Sequence, residues 1–87
     1  MGYTGPRPRV RVRIGFNPDF ARDPCTVGSA KYVADYLETI SGVNVTLVAE
    51  RARKEYRTQP MAPRTAGRLL EALANTTLHA RPVRVRA

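Results

Sequence analysis

A small single α+β domain, with terminal strands packed against two or three helices, is the fold this sequence predicts. Three observations carry that expectation. Residues 9–16 and 83–86 alternate charged and apolar side chains with a period of two. Apolar residues recur at helical spacing between Ala30 and Ile40 and again between Ala66 and Leu73. A length of 87 residues supports one modest hydrophobic core, whose stability neighbouring subunits or a ligand would increase.

Residues 1–8, rich in Gly and Pro and carrying Arg7, read as a flexible or extended basic arm ahead of one α+β domain over 9–87. In the first strand, Arg9, Arg11 and Arg13 share one side, while Val10, Val12, Ile14 and Phe16 share the other, which needs a core. Asn17-Pro18-Asp19 ends it, because proline has no N–H for a ladder and Asn and Asp favour local turns. A short helical turn burying Phe20 and Ala21 is expected before Pro24. Ser29 is placed to cap a helix with the stripe Ala30, Val33, Leu37 and Ile40, flanked by Tyr32 and Tyr36. Ser41-Gly42 stops it, since glycine takes a left-handed conformation easily.

Residues 43–57 admit two readings. Val43, Val45 and Leu47 alternate as in a strand. Asn44 can equally cap a helix aligning Val45, Val48, Ala49, Ala52 and Tyr56, and the run of helix formers from Ala49 to Glu55, with Glu50 four residues before Lys54, favours this second reading. Gln59-Pro60-Met61-Ala62-Pro63 turns the chain. Thr65 is expected to cap a last helix with Leu69, Leu70 and Leu73 on its apolar face and Ala66 and Ala74 in close contacts. Beyond Asn75-Thr76-Thr77, Val83-Arg84-Val85-Arg86 alternates as a final strand. Pairing of the two terminal strands would set Val83 and Val85 beside Val10, Val12 and Ile14 over the helices, completing a core with Val33, Leu37, Ile40, Val48, Ala52, Leu70 and Leu73.

Charge directs attention to the strands. Lys and Arg number 15 against 7 Asp and Glu, a formal net charge of +8, and all but Lys31 and Lys54 of the cations are arginine. The acidic residues concentrate between Asp19 and Glu50, whereas both ends are basic. Arg7, Arg9, Arg11 and Arg13 at one end and Arg81, Arg84 and Arg86 at the other form the candidate partner-binding surface. Arginines opposed across paired strands repel, so an acidic protein surface or the phosphates of nucleic acid is the expected partner. The uneven distribution also lets identical subunits associate head to tail. No strand aromatic motif or zinc-finger spacing accompanies the arginines. The opening residues carry no signal-peptide pattern and no apolar run spans a membrane, so an intracellular compartment without membrane contact is expected.

Catalysis is not expected. His79 is the sole histidine and falls in a loop; Cys25 is the sole cysteine, with neither a disulfide partner in the chain nor an adjacent base. Asp19 with Asp23, and Asp35 with Glu38, have spacings ordinary for solvated turns and helices. The isolated glycines lack the spacing and lysine of a phosphate-binding loop. No catalytic residue, metal or cofactor is predicted.

Val48 to Tyr56, followed by Met61-Ala62-Pro63-Arg64-Thr65-Ala66-Gly67-Arg68-Leu69-Leu70-Glu71-Ala72-Leu73, resembles the helix and turn of HK97-type tailed-phage neck and tail-completion proteins, in which an alanine-rich helix runs into an Ala-Pro, Thr-Gly, Leu pattern. Ala62-Pro63 and Thr65 fit, and Leu69 lies near the apolar position; Ala66, standing between Thr65 and Gly67, departs from the pattern. The resemblance implies a non-enzymatic virion component, made in the bacterial host cytoplasm and assembled with copies of itself and other virion proteins at the neck, tail or capsid. A small basic nucleic-acid-binding protein is the alternative that the arginine rows support.

Overall fold

The computed structural model describes residues 9–15 and 27–85, with only the backbone of 27–29. The arm over 1–8 with Arg7, the expectations for residues 16–26, which include Cys25, Asp19 and Asp23, and Arg86 lie outside the described residues. In chain order the elements are β1 (Arg9–Gly15), α1 (Val27–Ser41), β2 (Leu47–Glu50), β3 (Glu55–Thr58), α2 (Pro63–Leu73) and β4 (Ala80–Val85). The strands form one sheet in the order β2-β3-β1-β4, every neighbouring pair antiparallel. This is the connectivity of the ferredoxin-like, split βαβ arrangement, in which each helix links two parallel strands separated by a third. The predicted α+β class is therefore found, with two helices among the described residues.

Both helices pack on one face of the sheet. Val12 and Ile14 from β1, Leu47 from β2 and Tyr56 from β3 meet Ala30, Val33, Ala34 and Leu37 of α1 and Ala66, Leu69 and Leu73 of α2. Val10, Ile40, Leu70 and Ala80 pack around this centre half-buried. Helix α1 starts at Val27, so Ser29 lies inside its first turn instead of capping it. It ends as predicted: Gly42 adopts φ 72° and returns its N–H to the Glu38 carbonyl. Helix α2 begins at Pro63, two residues ahead of the expected cap Thr65, because proline's fixed φ suits the first helical position and its missing N–H costs nothing there. Ala74, expected in close contacts, is exposed.

The favoured helix over 44–56 is replaced by a hairpin. Val43, Val45 and Leu47 alternate into the core, while Val48 stays 48% exposed and Ala52 lies in an exposed turn, so neither joins the core. Burying those three side chains together with Tyr56 and Thr58, and completing two strand ladders, outweighs the few tenths of a kcal/mol per residue by which Ala, Glu, Arg and Lys prefer a helix. Lys54 closes the turn in the left-handed region at φ 53°, its N–H bonded to the Arg51 carbonyl. A β-carbon is costly there, so Lys54→Gly is expected to raise unfolding stability by roughly 0.5–1 kcal/mol. In a helix the same change would lower it by about 1 kcal/mol. Urea unfolding distinguishes the two by sign.

A second correction concerns β4. The register sets Arg9 opposite Val85, Arg11 opposite Val83 and Val10 opposite Arg84. Val83 and Val85 therefore share the arginine face instead of completing the core, and Arg84 is on the helix side. The alternation of residues 83–86 gives the period of a strand and not its phase, and a one-residue shift exchanges the faces. Gly15 donates to the His79 carbonyl, which fixes the phase of the ladder. Pro82, opposite Val12, consequently occupies a non-hydrogen-bonded position and turns its nitrogen toward the outer edge of the described sheet, where it removes a donor that another strand could use.

The centre of the sheet contains a bulge. Continuing the register of β1 and β3 would set Val10 against Pro60, which has no N–H; instead Val10 and Met61 exchange both backbone hydrogen bonds, at 2.9 Å each. Thr58, 1% exposed, bridges the irregularity: its Oγ1 accepts the Val12 N–H and donates to the Gln59 carbonyl, both at 2.9 Å. The Gln59 side chain reaches across to the approach to β2, accepting from the Thr46 N–H and donating to the Asn44 carbonyl.

Candidate interaction face

The helices cover one face of the sheet, and the other carries most of its charge. Cross-strand pairing sets Val48, Arg57, Arg13 and Arg81 in one row across the four strands. In the adjoining row Glu50 and Glu55 stand directly opposite each other, an unfavourable placement for two carboxylates by themselves. Arg13 relieves it. Its guanidinium lies 2.7 Å from Glu50 and 3.7 Å from Glu55, and its side chain is only 13% exposed. Arg57 lies 3.4 Å and Arg53 3.9 Å from Glu50, and Arg81 lies 3.3 Å from Glu55. Two carboxylates thus organise four arginines.

Arg11 is also committed within the chain: its Nη1 donates to the Thr58 carbonyl at 2.9 Å, securing the bulge from the outer side. Of the predicted partner-binding residues, then, Arg11, Arg13 and Arg81 hold the domain's own groups, Arg9 and Arg84 are exposed, and Arg7 and Arg86 lie outside the described residues. Arg9, Arg11, Arg13 and Arg81 share the outer face, which Arg84 does not. Glu50, Glu55 and Arg57 belong to the face although they were not among the candidates. The signal for them is the alternation in which Leu47, Ala49, Tyr56 and Thr58 share the inner side, which puts Glu50, Glu55 and Arg57 on the opposite one; a helical reading of the segment conceals it.

The hydrogen bond from Arg13, together with the charges of Arg57 and Arg53, holds the Glu50 carboxyl below the usual carboxylate range against the opposing effect of its partial desolvation. With a folded pKa below the unfolded one, its contribution to stability is complete above the unfolded value and is lost as pH falls through the folded value. Glu50→Gln is therefore expected to flatten the acid side of the stability profile, below about pH 4.5, and leave the slope near neutrality unchanged. Thermal melts between pH 2 and pH 7 check this; equal acid slopes in both proteins would contradict it.

Among the described residues no group of three His, Cys, Asp or Glu side chains could hold a metal ion, and no helix is long and apolar enough to cross a membrane. His79 is exposed beside a cleft of about 320 Å³ that also involves Leu70, Leu73, Ala74, Leu78 and Ala80. A second groove, of about 300 Å³, lies between the end of α1 and α2 and is lined by Ile40, Ser41, Arg68, Glu71, Ala72 and Asn75. No protein-family model, curated protein or solved structure matches this chain.

Proposed function

We propose that the chain is a non-enzymatic structural subunit of a tailed-phage particle, joined to neighbouring copies or other virion proteins through the outer face of its sheet. The observation that supports a protein partner is the position of Glu50 and Glu55 among the arginines of that face. A phosphate chain approaching Arg13, Arg57 or Arg81 meets a carboxylate within 4 Å of each guanidinium. A protein surface can complement both signs of charge and cover the flanking Val48, Val83 and Val85. The phage setting rests on the resemblance at the start of α2, where Ala62-Pro63 and Thr65 keep the pattern, and not on the segment before it, which is a hairpin.

Imaging of purified particles, combined with mass measurement of their components, tests this reading. Ordered repeated copies at capsid, neck or tail are expected. A stable monomer absent from assembled particles contradicts it.

A further inference from the structure

One end of the domain differs in kind from the outer face. The start of β1, the end of β4 and the start of α2 converge there: Arg9 pairs with Val85, Arg84 with Val10, and Val10 exchanges hydrogen bonds with Met61, two residues before Pro63. Arg9 and Arg84 are exposed on these strand ends, and Arg64, with Arg68 one turn later, is exposed at the beginning of α2. None of the four has an ion-pair partner among the described residues. The connections that reach this end, residues 42–46 and 59–62, contain no acidic residue; Glu38, Glu50 and Glu55 each stand four residues from them along the chain, and Glu71, three residues after Arg68, lines a groove with it farther along α2.

We infer that this arginine-rimmed end binds the phosphate backbone of nucleic acid, independently of base sequence. The inference goes beyond the outer-face reading and does not depend on it. Three features select the ligand. The cations are arginines, whose planar fork matches phosphate oxygens. They border strand ends and a helix start instead of enclosing a pocket, which suits a polymer of charges better than a single small anion. The exposed large apolar residues among those described are Tyr32, in α1, and Val48, in β2, so the described residues of this end offer only the half-buried Val85 beside Arg9 and no exposed large apolar anchor of the kind a protein interface or a membrane-surface contact uses. No aromatic side chain from β1 or β4 is available to stack on bases, hence the lack of sequence preference.

The test compares two variants with the same loss of net charge: Arg9→Gln with Arg84→Gln at this end, and Arg51→Gln with Lys54→Gln in the turn at the opposite end of the hairpin. Each protein is titrated against a fluorescent 20-base-pair duplex over a range of salt, against polyglutamate, and against vesicles containing anionic lipid, with circular dichroism melts confirming that both variants fold. The first variant is expected to bind the duplex about tenfold more weakly and to flatten the logarithmic salt dependence by roughly two, one unit for each phosphate contact removed. The second is expected to change affinity by less than about twofold. Equal losses in the two variants would reduce the effect to overall charge and overturn the site. Absence of duplex binding at about 0.1 M salt, or tighter binding to polyglutamate or vesicles than to the duplex, would overturn it as well.

Discussion

Replacing Thr58 by Val is expected to destabilise the domain by about 2 kcal/mol although the two side chains have nearly the same volume, because it leaves the Val12 N–H buried without an acceptor. In a chain of this size that corresponds to roughly 8–16 °C in melting temperature. The hydroxyl stands where a strand carbonyl would otherwise be, and it also serves the Gln59 carbonyl on the far side of the bulge. Thr58→Ser keeps both hydrogen bonds and is expected to lose about half as much, through the missing methyl group. Amide exchange at Val12 should accelerate in Thr58→Val beyond the amount that global unfolding explains. If the two variants were equally stable, the bulge would be held by packing alone.

Reversing the charge of Arg13 is expected to have a comparably large effect, for electrostatic reasons. Arg13 is the side chain that contacts both Glu50 and Glu55, so Arg13→Glu sets three carboxylates together on adjoining strands in a partly desolvated position. Its melting temperature should fall by several degrees more than that of Arg9→Glu, which alters an exposed residue with no ion-pair partner among those described. Adding Glu50→Gln and Glu55→Gln to Arg13→Glu should recover part of the loss, whereas the same two changes in the parent chain should destabilise it. Equal effects of reversal at Arg9 and Arg13 would mean that the ion-pair network contributes nothing to folding.

The sequence makes the period of each element easier to read than its partner. The two-residue alternation of β1 and the stripe Val33, Leu37, Ile40 each place residues correctly against the core, since each pattern depends on a single element. Over residues 44–56 local propensity points to the wrong element because the choice there depends on contacts remote in sequence: the pairing of Tyr56 with Ile14 and the burial of Val43, Val45 and Leu47 against the helices. The same cause hid the composition of the outer face. The arginines of β1 are visible as a row, yet whether they are free or paired depends on two glutamates brought beside them by a hairpin that local propensity argues against. The phase of β4 was likewise set by Gly15 and His79, far apart in the chain, and not by its own pattern.

The division of the arginines into internal ties and free cations underlies both the outer-face reading and the nucleic-acid site. Nitrogen-15 NMR of the arginine side chains measures it most directly, because a guanidinium held by carboxylates or a carbonyl rotates slowly and exchanges its protons slowly. Resolved, slowly exchanging signals are expected for Arg13 and Arg11, and averaged, rapidly exchanging ones for Arg9 and Arg84. A spectrum in which Arg13 is as mobile and as rapidly exchanging as Arg9 would contradict that division.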